Sequence, residues 1–115
     1  MIPREVEVFV ALEPVNMHLS FDRLAGLVKE RMGRSARTPA LYIFLNRRRT
    51  LLKALFFDGT GLCQFYKRLD RGRFVLPEAV DGGRVVELSE AALERLLDGL
   101  VPGGASRGGP PRTLH

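Results

Sequence analysis

The sequence predicts an α+β domain: a mainly antiparallel sheet carrying two amphipathic helices. Three observations predict it. Apolar runs at 41–45, 51–57 and 62–66 follow one another across turn signals of four or five residues, the pattern of a three-stranded antiparallel meander. Behind Ser20, apolar residues recur at helical spacing as far as Met32. A second leucine stripe (Leu93, Leu96, Leu97, Leu100) follows Ser89.

Taken in order, residues 6–12 are β-branched and apolar apart from Glu7, which predicts an N-terminal strand. Pro14 ends it, because it has no amide hydrogen for a ladder. Ser20 is suited to cap a helix, with Asp22 in its first turn favoured by the helix dipole. Phe21, Leu24, Ala25, Val28 and Met32 would form its apolar face and Gly33 its C-terminal stop. A polar loop spans 34–39. The first two meander runs barely alternate, so both are expected to be covered on two faces. Asn46 to Thr50 and Asp58-Gly59-Thr60-Gly61 supply the turns. Gly72 breaks the chain, and 73–76 reads as a short further strand before Pro77. Residues 84–88 read as another short strand after the Asp81-Gly82-Gly83 turn. Ser89 caps the second helix, with Leu88 and Leu93 placed as a hydrophobic staple. The helices are expected on one side or end of the sheet. Residues 1–101 are read as a single domain. Residues 102–115 are rich in Pro and Gly and are expected to be a disordered tail, having too little apolar surface to offset ordering entropy.

A chain of 115 residues suffices for one core and is short for two. The lone cysteine, Cys63, allows no internal disulfide and suits a reducing compartment. No apolar stretch is long enough to span a membrane, and the N-terminus lacks the pattern of a secretory signal. These features point to a cytoplasmic protein. The net charge of +5 is unevenly spread. Between Lys29 and Arg73 there are twelve Lys/Arg against three acids (Glu30, Asp58, Asp70), so the rest of the chain is acidic. Such segregation creates a positive field wherever the fold keeps those residues together.

Catalytic and metal patterns are missing from the sequence. One Cys and two His (His18 and His115) give no zinc spacing. Cys63 lies inside an apolar run and reads as a buried structural thiol; Ser20 and Ser89 read as helix caps. A two-metal nuclease needs clustered carboxylates. Asp58 and Asp70 could approach across a hairpin, although Asp58 is more simply a turn residue. Gly59-Thr60-Gly61 precedes a strand and lacks the lysine of a phosphate loop. The chain is therefore expected to be no enzyme and to need no metal or other cofactor.

The basic middle remains. Arg47, Arg48 and Arg49 occupy a hairpin tip, where guanidinium groups can pair bidentately with phosphate. Lys67, Arg68, Arg71 and Arg73 follow at the end of the third meander strand. In a meander these two places share one edge of the sheet, so the clusters are expected to converge. Lys53 joins them as a candidate nucleic-acid contact. The bland reading is a solvated, charged end of a sheet. Phe65, Tyr66 and Phe74 interleave with the basic residues, but core packing is expected for at least two of them, which leaves a weak match to single-strand stacking platforms.

Several of these residues recur in a family pattern: Asn46 to Arg48, Lys53, Phe56-Phe57, Asp58 to Gly61, Lys67 to Phe74 and Pro77. The stretch 41–77 resembles the second-open-reading-frame accessory protein of the insertion sequence 66 family of bacterial mobile elements. That product is called TnpB-type and is unrelated to the RNA-guided nuclease of the same name. Residues 14–28 and 88–100 are similar to the family's N-terminal block and C-terminal helix. The resemblance implies a non-catalytic accessory protein for transposition, with catalysis left to a separate transposase. On this reading DNA is the expected partner. The alternative is an adaptor that binds the element's transposase without touching DNA. The chain departs from the family at Asn16 to Ser20, where the usual two basic residues are His18 and Leu19. It departs again where tryptophans of the family are Phe56, Phe57 and Leu76.

Overall fold

The computed structural model describes residues 6–76 and 83–100. In chain order the elements are β1 (Glu7–Ala11), α1 (Phe21–Met32), β2 (Ala40–Leu45), β3 (Leu51–Phe57), β4 (Leu62–Arg68), β5 (Val85–Leu88) and α2 (Glu90–Asp98). The five strands form one sheet in the order β4-β3-β2-β1-β5. The meander is present, β2 with β3 and β3 with β4 both antiparallel. The predicted tail lies outside the described residues.

Three expectations are corrected. The sheet is mixed rather than purely antiparallel, because β1 pairs with β2 in parallel, Val8 opposite Leu41 and Val10 opposite Ile43. The reason is connectivity: α1 carries the chain back along the sheet, so β2 starts at the end where β1 started. Second, no strand forms at 73–76. Arg73 makes only an isolated bridge to Leu100, and the Phe74 ring is buried. Third, the helices do not share one side. Leu24 and Val28 of α1 pack with Tyr42, Phe44 and Leu55. Leu93 and Leu96 of α2 pack with Val8, Val10, Ile43 and Leu52 on the opposite face.

This two-sided arrangement explains why the apolar runs of β2 and β3 barely alternate. All six residues of β2 are buried. Alternate side chains enter alternate cores: Leu41, Ile43 and Leu45 face α2, while Tyr42 and Phe44 face α1. The caps follow the sequence. Ser20 Oγ accepts from the Arg23 amide and Ser89 Oγ from the Ala92 amide; Gly33 closes α1 at φ 66°, a left-handed conformation that glycine adopts without a Cβ penalty. A polar knot ties the end of α1 to the sheet. Arg34 Nε donates to the Tyr42 hydroxyl, its Nη2 donates to Glu7 at 2.8 Å, and its guanidinium lies 4.3 Å from the Phe9 ring centre. The bond to Tyr42, ahead of the Glu7 charge, holds the guanidinium pKa above its ordinary value.

Candidate nucleic-acid interface

The β2–β3 turn is built by Asn46. Its Oδ1 accepts from the amides of Thr50 and Leu51, each at 2.9 Å, and its Nδ2 donates to Thr50 Oγ1. The Asn46 carbonyl also accepts from the Arg49 amide. With the backbone closed on itself, Arg47, Arg48 and Arg49 are left exposed at the tip. Arg49 has φ 61°, the one described non-glycine residue with positive φ.

The second cluster meets this turn through the backbone. Leu51 pairs with Arg68 across β3 and β4. The Leu69 amide then donates to the Thr50 carbonyl at 3.0 Å, and the Phe74 amide to the Arg49 carbonyl at 2.7 Å. Leu69 and Phe74 are both buried in the α2-side core, so they hold the intervening loop under the turn. Arg68, Arg71 and Arg73 are exposed there, with Asp70 the acid among them. The two basic clusters thus occupy one end of the sheet.

Two of the eight candidates stand apart from that open end. Lys53 is 7 % exposed; its ammonium donates to the Leu19 carbonyl at 3.4 Å and lies 5.1 Å from the Tyr66 ring centre. It sits on the α1 face of β3, where the pleat turns its side chain into the core. Lys67 is half-buried on the other face, and its ammonium donates to the Leu97 carbonyl at 2.7 Å. A cation there satisfies a carbonyl in the last turn of α2 and complements the helix dipole. The four earlier cations, Lys29, Arg31, Arg34 and Arg37, belong to α1 and the loop after it. Arg31 and Arg34 are engaged by Glu13 and Glu7. By contrast, Arg47, Arg48, Arg49, Arg68 and Arg73 form no salt bridge with any described residue.

The other chemistry-bearing residues have structural places. Asp58 Oδ1 accepts from the Thr60 amide, the Thr60 hydroxyl and the Gly61 amide. Those bonds, the backbone amides first, lower its pKa to about 2. Asp58 follows the Phe57–Leu62 end of the β3–β4 pair and Asp70 follows the Leu51–Arg68 end. About six residue steps of strand, roughly 20 Å, separate the two ends, so the approach across the hairpin considered from sequence does not occur. Cys63 is half-buried opposite Phe56. Desolvation pushes its thiol pKa up, and Asp58 adds to the effect, which disfavours the nucleophilic thiolate. Among the described residues no group of three His, Cys, Asp or Glu is placed to hold a metal ion. No helix among them is long and apolar enough to cross a membrane.

Sequence reasoning gave little weight to Tyr66. It is 54 % exposed on β4, an edge strand. The period-2 pattern of a half-covered strand, in which Tyr66 falls beside Arg68 on one face, carried that signal.

Comparison with known proteins agrees with the pattern read from 41–77. The sequence profile of the IS66 Orf2 like protein family matches residues 6–106. The uncharacterized protein y4hO of Sinorhizobium fredii is 40 % identical over 102 residues, covering 87 % of each chain. A second uncharacterized protein of that organism, y4jC, is 26 % identical over 97 residues, covering 84 % of this chain and 81 % of its own. No solved structure gives a significant match.

Proposed function

Since the chain belongs to the IS66 Orf2-like family, we propose that it is a non-catalytic accessory protein for transposition of a bacterial insertion sequence, and that it binds DNA through the arginine-rich end of its sheet. The observation that carries this reading is the pair of backbone hydrogen bonds, Leu69 to Thr50 and Phe74 to Arg49. They bind two arginine clusters, far apart in sequence, to one surface. The guanidinium groups are exposed and can pair bidentately with phosphate oxygens. Lys53 and Lys67 belong to the scaffold in this reading, and the binding set is Arg47, Arg48, Arg49, Arg68, Arg71 and Arg73.

The test is the salt dependence of binding. Each phosphate neutralised releases condensed counterions, so log affinity falls with log salt by about 0.9 per duplex contact. Replacing Arg47, Arg48 and Arg49 together by alanine should flatten that slope by about two to three units. An unchanged slope removes the turn from the interface.

A second reading is an adaptor for the transposase. It is favoured by an apolar cavity of about 410 Å³ beside α2, lined among the described residues by Val75, Leu76, Leu88, Leu96 and Leu100. Pull-down of the transposase from nuclease-treated lysate separates the two: capture without DNA, by a chain with no DNA affinity of its own, supports the adaptor.

A further inference from the structure

We propose that Tyr66 and Arg68 form a stacking site for unpaired bases, so that the preferred ligand of the arginine-rich end is single-stranded DNA. This rests on the DNA-binding reading and specifies its substrate class. Tyr66 is paired with Lys53 across β3 and β4, and Leu51 with Arg68. Cross-strand partners share a face and residues two apart on a strand share a face, so Tyr66 and Arg68 project from the α1 side of the sheet. They stand roughly 6.6 Å apart along the strand. Beyond Arg68 the same chain end leads to the Arg47–Arg49 turn, joined through Leu69 and Thr50.

The support under the ring is what distinguishes Tyr66 from an ordinary surface aromatic. Lys53 is 7 % exposed and its ammonium lies against the Tyr66 ring. Its other contact is a neutral carbonyl, that of Leu19; no described carboxylate pairs with it. A buried cation with no counter-charge among the described residues holds the ring by cation–π attraction and adds positive potential where a phosphate backbone would pass. Phe21, 42 % exposed, opens α1 two residues after that carbonyl, on the same side of the sheet. Every base has a π-face, and exposed aromatics beside a cationic track are the features that bind single strands without regard to sequence. A duplex keeps its bases stacked on each other and could use only the arginines.

The chain has no tryptophan and two tyrosines, of which Tyr42 is fully buried. Quenching of intrinsic tyrosine fluorescence therefore reports on Tyr66. The experiment titrates the full chain with a labelled oligothymidylate and with a duplex of equal length at low salt, following anisotropy and tyrosine emission. Expected is tighter binding of the single strand, with quenching. Tyr66→Ala should cost roughly ten-fold in single-strand affinity and leave duplex affinity unchanged, whereas Tyr66→Phe should retain both. Thermal melts confirm that each variant is folded. Equal affinity for both DNAs, unaffected by Tyr66→Ala, overturns the stacking site while leaving the arginine surface intact if the triple arginine variant still weakens both. No binding of either DNA overturns both readings. Loss of transposase capture by Tyr66→Ala, with DNA affinity unchanged, assigns the ring to a protein contact and overturns the proposal.

Discussion

The amide of Phe74 donates to the carbonyl of Arg49 at 2.7 Å, joining the tip of the first hairpin to a buried ring 25 positions along the chain. Arg49 accepts that bond from a left-handed backbone, φ 61°, which carries a steric penalty for any residue with a Cβ. Arg49→Gly should leave folding stability unchanged or raise it by up to about 1 kcal/mol. Arg49→Val, β-branched, should lower it by about 1–2 kcal/mol. Urea denaturation measures both. Each should also remove about 0.9 from the duplex salt slope if Arg49 contacts phosphate.

Lys67 should separate from the arginines in the same assays. Its ammonium holds the Leu97 carbonyl near the end of α2. Lys67→Met keeps the apolar stem and loses that bond, which should cost about 1–2 kcal/mol of stability. The salt slope of DNA binding should not change. A slope reduced as far as that of an arginine variant would return Lys67 to the interface.

Gly99 is a position where glycine is required. Its φ is 73°, and a Cβ there would lie 2.7 Å from Leu69 Cδ1 and 3.3 Å from the Arg73 carbonyl oxygen. Gly99→Ala should destabilise the fold by about 1–3 kcal/mol from backbone strain alone. It should also disturb the Arg73–Leu100 bridge, read as faster hydrogen exchange at the amides of Arg73 and Leu100, which form it.

Asp58 predicts a pH response. Its folded pKa is about 2 against an ordinary 3.8, so the folded state favours the ionised form. The associated stability is complete above the unfolded value and is lost as pH falls from about 4 through about 2. Asp58→Asn should make urea midpoints less dependent on pH across that window and leave the dependence above pH 5 unaltered.

Much of this architecture is legible in the chain. Ser20, Gly33 and Ser89 mark helix ends because capping depends on residues three or four positions away. Asn46 and Asp58 mark turns because their carboxamide and carboxylate reach amides two to five residues on. The unbroken apolar run of β2, and that of β3 interrupted by Lys53 alone, announce burial on two faces, and the chain order of the meander already places the arginine tip beside the end of β4. The segment 73–76 misleads for a physical reason: Arg73-Phe74-Val75-Leu76 has strand composition, but its ring is taken into the α2-side core and its amides pair with a turn and with Leu100.

The sequence by itself determined the five strands and two helices that form, their caps and turns, and the presence of a basic hairpin tip, since each depends on neighbours within a few residues; the strand composition of 73–76 is the exception. Tertiary structure alone decided that β1 lies parallel to β2, that the helices cover opposite faces, and that Lys53 and Lys67 are drawn onto distant carbonyls. Lys53 and Lys67 look like their arginine neighbours in the chain. They differ because their partners, Leu19 and Leu97, stand 34 and 30 residues away. Only packing brings a carbonyl within reach of an ammonium over such a separation, and the pleat decides whether a charged side chain turns inward to meet it or outward to water.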